Sequence, residues 1–334
     1  MNDSSMLALV YTAPKHVQME ERARPAARDG ESLVEVEFAG ICGSDMSGFL
    51  GHSARRLPPL ILGHELVGRL ADGRRVVANP LISCGVCGYC LAGKQNLCAS
   101  WRLLGMDETQ GAFAQFVSLP SSQIHAVPDS LTPQAAILVE PLANIVHLFR
   151  LVSPQPFFRL AIVGAGTMGA LALLIARQLG VRETLVVDVN LQRLETMRQL
   201  GATHTDHAGS PGPSAPSIRP ADFDLVIDAS GISAARQLAF SLCRPGGQVA
   251  LLGMMTQSSE IDFVSSIRKE HRVTMSFAYT PADFERALAL LVEGAVDLSP
   301  WTSVLALERG QEAFDRMTEA PGSLLKMMLE IPAH

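Results

Sequence analysis

The sequence has no cluster or stripe of lysine and arginine, no long uninterrupted apolar run and no internal repeat. Each absence removes a class of function. With a formal charge of -6 and no basic patch, the chain is not built to track a nucleic-acid backbone. Its longest apolar segment, residues 161–179, is broken by three glycines and Arg177, which makes it a poor membrane span. The apolar run 6–11 is too short, and lacks the basic flank, to be a secretory signal. Charged residues reach only 18% against 48% apolar, the balance of a globular protein with ample core and little disorder. At 334 residues the chain exceeds one ordinary core and suits two domains. Cysteines are few, six in all, and four of them lie together, which suggests reduced thiols on a metal rather than disulfides. The cytoplasm is the expected compartment, and the chain reads as complete.

Two styles of sequence follow one another. Residues 7–11 and 33–38 read as strands, and the second alternates apolar with acidic residues as a half-buried antiparallel strand does. Gly40, Gly43, Gly48 and Gly51 punctuate what reads as a loop region. Short strands are expected near 74–78 and 113–118, so the chain is mainly β to about residue 128. From Pro133 the character changes. Residues 135–151 read as helical, interrupted at Glu140-Pro141, and Ser153-Pro154 leads into a β-α-β unit. Strand 160–163, a glycine turn, helix 170–179 ending at Gly180 and strand 184–187 follow in order. Asn190 can cap a further helix with Leu191, Leu194, Met197 and Leu200 on one face. Residues 209–221 are rich in Ser, Pro and Gly and read as a surface loop. Strands are expected again at 225–227, 249–252 and 273–277, and strands alternating with helices imply a doubly wound parallel sheet. Residues 281–293 form an amphipathic helix pattern, and 324–329 a strand.

The most specific signal is Cys84, Cys87, Cys90 and Cys98, spaced C-x2-C-x2-C-x7-C. Glycines at 85, 88 and 93 let the backbone wrap, so four thiolates can enclose a tetrahedral ion. A pair of disulfides or a set of reactive thiols are the competing readings. A closed four-thiolate site serves stability rather than catalysis.

A second constellation is spread more widely. Cys42 opens Cys42-Gly43-Ser44-Asp45, and His64 sits in Gly63-His64-Glu65-x-x-Gly68. Glu140 follows the apolar run Ile137-Leu138-Val139, and an acidic residue inside such a run needs a charge partner. A thiolate, an imidazole and carboxylates are what a catalytic zinc ion takes while keeping a place for substrate. Further on, Gly164-Ala165-Gly166-Thr167-Met168-Gly169 follows an apolar strand and precedes a helix, with Asp188 nineteen residues after Gly169. That context makes it a dinucleotide fingerprint. Gly164 makes the tight turn, Gly166 admits the pyrophosphate and Gly169 permits close helix–strand packing, with the helix N-terminus facing the phosphates. Asp188 can accept from the adenosine ribose hydroxyls and would repel a 2′-phosphate, which favours NAD. Arg193 lies close enough to pair with a phosphate, but a solvated helix face is the preferred reading for it. Ser230, in Asp228-Ala229-Ser230-Gly231, and Gly253 end two later strands and are expected backbone contacts to the cofactor.

The ordered set of Cys42, His64-Glu65, the four-cysteine cluster and the glycine fingerprint resembles the zinc-dependent medium-chain alcohol and polyol dehydrogenases, a group that includes sorbitol and threonine dehydrogenases. The resemblance implies a mainly-β GroES-like catalytic domain, residues 1–137 and 282–334, and a Rossmann cofactor domain, residues 138–281. It implies two zinc ions per chain, a structural one on the four cysteines and a catalytic one on Cys42 and His64, with Glu65 and Glu140 as direct or water-mediated ligands. Asp45 would fix the tautomer of His64. Ser44 would take the alcohol proton and pass it through the cofactor ribose. The family commonly carries a relay histidine five residues after the cysteine, and here that position is Ser47. His52 stands in the same loop, where an exposed histidine is the plainer reading. Residues such as Phe49, His52, Trp101 and Met106 are expected near the substrate.

The expected activity is zinc-dependent hydride transfer between a secondary alcohol or polyol and NAD. An NADPH-dependent ketone reductase is the alternative enzyme. A cofactor-binding protein that has lost catalysis, with Ser47 as its first sign, is the reading from another class. A small-molecule alcohol or ketone is the expected partner, with a homodimer or homotetramer as the assembly, and neither nucleic acid nor membrane.

Overall fold

The computed structural model describes residues 4–152, 157–208 and 221–334. They form two compact units. One comprises Met1–Glu140 with Thr280–Glu293 and Asp297–His334, the other Pro141–Tyr279 with Gly294–Val296.

The first unit is built on strand Glu31–Ile41, which is half-buried where it alternates and fully buried where it ends. Val34 and Val36 point into the core while Glu35 stays exposed, as the alternation predicts. Ala39, Gly40 and Ile41 are all buried, so the strand delivers Cys42 into the interior. Its neighbours are antiparallel: Glu65–Arg69 pairs with one edge, Phe116–Pro120 and Lys326–Glu330 in succession with the other. The register sets Gly40 directly opposite Glu65. A Cβ at position 40 would collide with the Glu65 carboxylate and fall 2.9 Å from the Lys326 stem, so only glycine lets the three chains close up. In the core of this unit Phe314 packs tilted at 4.7 Å against Phe49 and edge-on at 6.0 Å against Phe113.

The second unit is a six-stranded parallel sheet. Its order is His204–His207, Glu183–Asp188, Arg159–Val163, Phe223–Asp228, Cys243–Leu251, Arg272–Met275. In order of appearance that is 3-2-1-4-5-6, the doubly wound arrangement whose ligands sit beyond the carboxyl ends of the central strands.

Several local expectations change. Residues 43–49, expected as loop, form the helix Gly43–Phe49, because the Asp45 carboxylate reaches back to the Cys42 N–H at 3.0 Å and starts a turn that the glycines disguise. The helical stretch after Pro133 breaks earlier than expected: Pro133–Ala136 and Val139–Val152 are separate helices. Pro141 then falls in the first turn of the second helix, where a missing N–H costs nothing. Residues 133–152 are apolar enough to cross a membrane, yet 72% of that stretch is buried within the fold, as a core helix is. The glycine-turn helix begins at Thr167 with Gly166 as its cap rather than at residue 170. Strands His16–Ala23 and Thr302–Ala306 and helix Gly310–Glu319 had no clear signal. Ser153-Pro154 and residues 209–220 of the loop expected over 209–221 lie outside the described residues.

Close packing at Gly169 can be tested directly. A Cβ there would be driven into the Gly164 carbonyl, whereas one at Gly166, with φ of -83°, meets nothing within 4 Å. Gly169→Ala should destabilise the parallel-sheet unit by about 3 kcal/mol, seen as a lower thermal unfolding midpoint, and Gly166→Ala should leave the midpoint in place.

Candidate metal centres and cofactor site

Between residues 84 and 98 the chain turns tightly, with Gly85 and Gly93 at φ of +74° and +71°, a conformation that suits glycine. The turns gather the four cysteine sulfurs within 4.8 Å of one another, unbonded. Cys87 Sγ is 3.5 Å and Cys84 Sγ 3.8 Å from Cys90 Sγ. A tetrahedron with metal–sulfur bonds of about 2.3 Å has edges of about 3.8 Å, so these separations fit a four-thiolate zinc and are far too long for disulfides. The Val86 and Cys87 backbone N–H groups and Cys98 pull the Cys84 thiol down to about 6, whereas at Cys87 the Cys90 N–H is outweighed by burial and the neighbouring sulfurs, which push that thiol up to about 11.

The second group lies where two strand ends meet. Cys42 follows strand Glu31–Ile41, and His64 precedes strand Glu65–Arg69. Donor atoms of Cys42, His64 and Glu65 fall within 4.8 Å of one another. Glu140, in the first turn of helix Val139–Val152, is buried near them but stands outside this group. Asp45 ties the segments together. Its Oδ2 accepts from the Cys42 N–H, and its Oδ1 accepts from the Gly63 N–H at 3.2 Å. Oδ1 also faces His64 Nδ1 at 3.4 Å, longer than a full hydrogen bond but close enough to aim the ring and leave Nε2 for a ligand.

Charge explains the composition. Burial opposes ionisation of Asp45, but His64 and Arg56 outweigh it and hold the carboxyl at about 2. Burial also works against the His64 imidazolium, yet the Asp45 and Cys42 charges raise its pKa well above the usual value. Glu65 is pushed up by burial and by Glu140, against the pull of Lys326. Lys326 is itself fully buried, ion-paired with Glu65, and donates to the Ile41 carbonyl at 3.2 Å; Glu65 and Cys42 keep its pKa raised despite burial. The acidic side chains Asp45, Glu65 and Glu140 thus share this interior with two buried cations, Arg56 and Lys326. A thiol, an imidazole and a carboxylate whose donor atoms lie within 4.8 Å of one another are a donor set that fits a zinc ion.

Two of these groups were not singled out from sequence. Lys326 had a readable signal, because a lysine within an apolar strand calls for a buried partner just as Glu140 does. Arg56 had none: it sits beside Arg55 in a polar loop, yet is only 3% exposed. Ser44 and Ser47 lie half-buried on helix Gly43–Phe49; Ser44 Oγ accepts from Arg56 Nη2 at 3.1 Å, and the Ser47 carbonyl from the His52 N–H at 2.9 Å. His52 is exposed, as expected. Phe49 is not a pocket residue, being buried against Phe314 in the core.

In the second unit the glycine turn takes the expected shape. Gly164 has φ of +114°, and its N–H donates to the Val187 carbonyl. Gly166 caps helix Thr167–Gln178 without a side chain, so the N–H groups of Thr167, Met168 and Gly169 open the helix beside uncrowded space. Asp188 accepts from the Ala165 N–H at 2.6 Å and the Asn190 N–H at 2.7 Å, which locks the turn to the next strand end. Asn190 caps the following helix as expected. Arg193 departs from expectation: it is half-buried beside Asp188, where burial lowers its pKa and Asp188 opposes that shift, so its helix face is not freely solvated. The Asp228 carboxylate accepts from the N–H groups of Ser230 and Gly231 at 3.0 and 2.9 Å. Gly253 presses backbone to backbone on Gly231, where no side chain would fit.

Comparison with known proteins agrees with this geometry. Residues 28–129 match the alcohol dehydrogenase GroES-like domain, and residues 167–293 the zinc-binding dehydrogenase family. A probable D-xylulose reductase A of Neosartorya fischeri is 30% identical, covering 95% of this chain and 94% of its own. Sorbitol dehydrogenase of Bacillus subtilis is 28% identical, covering 97% of each. The crystal structure of a putative zinc-binding dehydrogenase from Sinorhizobium meliloti, bound to NADP, superposes with a TM-score of 0.88 at 27% identity, over 98% of this chain and all of the other. The chain belongs to the zinc-dependent medium-chain alcohol and polyol dehydrogenases, oxidoreductases that interconvert alcohols and ketones with a nicotinamide dinucleotide.

Proposed function

We propose that this enzyme oxidises a secondary alcohol or polyol to its ketone with NAD, reversibly, using one catalytic and one structural zinc. The observation that carries it is the convergence of Cys42, His64 and Glu65 donor atoms in a buried interior. Cys42, His64 and Glu65 would hold the catalytic ion, with Glu140 at its margin, and Cys84, Cys87, Cys90 and Cys98 the structural one. When bound, the catalytic zinc supplies Lewis acidity toward the alcohol oxygen. Ser44 Oγ, held by Arg56, would accept the alcohol proton and give up its own hydrogen, toward the ribose hydroxyl of a bound cofactor. Ser47 can hand on a proton but cannot store one near neutrality as the common histidine can. The gathered ligand set speaks against a protein that has lost catalysis.

Thr167, Met168 and the glycines around them would receive the pyrophosphate, Asp188 the adenosine ribose, and Ser230 and Gly253 the nicotinamide side. A second reading, an NADPH-dependent ketone reductase, is favoured by Arg193 lying half-buried beside Asp188 and by the NADP in the Sinorhizobium meliloti relative. For assembly we favour a homodimer or homotetramer. Strand Arg272–Met275 ends its sheet with Val273 and Met275 exposed, an edge suited to a second copy. The cytoplasm is the compartment that suits its thiols.

The direct test is NADH formation at 340 nm over polyols, sugar acids and secondary alcohols, with NADP in parallel and a zinc chelator as control. Chelator-sensitive reduction of NAD is the expected result. Cys42→Ser should lower turnover by at least roughly a thousandfold, several kcal/mol of lost stabilisation, while keeping one zinc and the unfolding midpoint. Full activity in that variant would remove the metal mechanism. Asp188→Ser should raise kcat/KM with NADP relative to NAD by roughly tenfold or more. An unchanged ratio would mean that the carboxylate does not face the ribose.

A further inference from the structure

Arg56 occupies a place that a polar loop does not require of it. Its neighbour Arg55 keeps a side chain 43% exposed, ion-paired with Asp107 and lying over Trp101. Arg56 instead turns inward. Its stem crosses helix Gly43–Phe49 at Gly48, where a Cβ would stand 2.8 Å from Arg56 Cδ and 2.9 Å from its Cβ. A helix-weakening glycine at that position is what admits the arginine.

The guanidinium ends between two groups with separate tasks. Nη2 donates to Ser44 Oγ at 3.1 Å, and Nε lies 3.8 Å from Asp45 Oδ1, buried and otherwise without a hydrogen-bond partner. Asp45 is the carboxylate that faces His64 Nδ1 and accepts from the Cys42 and Gly63 backbones. One rigid fork therefore links the hydroxyl on the same turn as Cys42 to the carboxylate that aims the histidine. With one Ser44 lone pair occupied by Nη2, the other is left to accept a proton and the hydroxyl hydrogen is left to donate. A planar, permanently charged guanidinium can bridge both groups, whereas a lysine ammonium on a flexible stem cannot hold the same geometry.

We propose that Arg56 is a positioning residue for the alcohol chemistry: it fixes Ser44 Oγ for proton transfer and, through Asp45, steadies His64 as a metal ligand. The proposal rests on the dehydrogenase reading for its first half only, because retention of metal is measurable without turnover.

The test uses the zinc-loaded enzyme and Arg56→Met, which keeps an apolar stem beside Gly48 and removes the guanidinium. The unfolding midpoint and structural zinc should hold. Turnover should fall about tenfold to a hundredfold with KM changing less than about threefold, and the solvent deuterium isotope effect on kcat should rise. Release of the catalytic zinc to a chelator, identified as the zinc that Cys42→Ser lacks, should quicken by about tenfold or more. Free guanidinium ion should restore part of the turnover of Arg56→Ala. Arg56→Lys guards against a folding failure in the methionine variant, and should show an intermediate loss in both measurements. Wild-type turnover, isotope effect and zinc release in Arg56→Met would reduce Arg56 to a space filler and overturn the proposal, as would full activity in Arg56→Lys. A wild type silent on every alcohol would overturn the dehydrogenase reading instead, and the zinc-release comparison would still decide the role of Arg56.

Discussion

A carboxylate sealed from water, Asp45, is the constraint on which the metal-binding unit depends. An unsolvated acid is unfavourable unless it is surrounded by donors, and each donor that Asp45 recruits belongs to a segment of the centre. The Cys42 N–H fixes one strand end, the Gly63 N–H fixes the other, and His64 turns its ring toward the remaining lone pair. The helix Gly43–Phe49 exists for the same reason, since the carboxylate that organises the centre also closes the first helical turn. Removing Asp45 would therefore disturb backbone geometry before it disturbed any chemistry.

A second layer is electrostatic balance. Glu65 and Lys326 form an ion pair buried as deeply as any in the unit, and Gly40 is bare so that they can meet. Such a pair gains little stability compared with apolar packing, which points to a role in setting local charge. Arg56 and Lys326 set two positive charges beside the acidic side chains of the centre without being among its donor atoms.

Much of this was legible in the sequence because the features are local. The cysteine lobe is fifteen residues long, from Cys84 to Cys98, and the glycine fingerprint sits inside one β-α-β unit. Strand Glu31–Ile41 announced its buried face by alternation, although its ends ran further than the pattern. What escaped notice depends on distant chain segments. Arg56 looks like any loop arginine until Gly48 is seen to make room for its stem. Phe49 looked like a pocket residue because nothing nearby showed Phe314 waiting for it. The helix at 43–49 was hidden by its glycines, and its cap is a cysteine rather than the usual serine or threonine.

The two candidate metal centres also differ in when they can form. The cysteine lobe closes over a short stretch of chain, so its loop entropy is small and zinc can bind it early. The Glu65–Lys326 pair joins residues that precede and follow the parallel-sheet unit along the chain, and the Lys326–Ile41 hydrogen bond alone spans 285 positions. That contact must wait until strand Lys326–Glu330 has docked against Glu31–Ile41. The cysteine lobe can thus close well before the Cys42–His64–Glu65 centre is complete. An ion bound at that centre would arrive late, a chemical signature that both ends of the catalytic unit have come together.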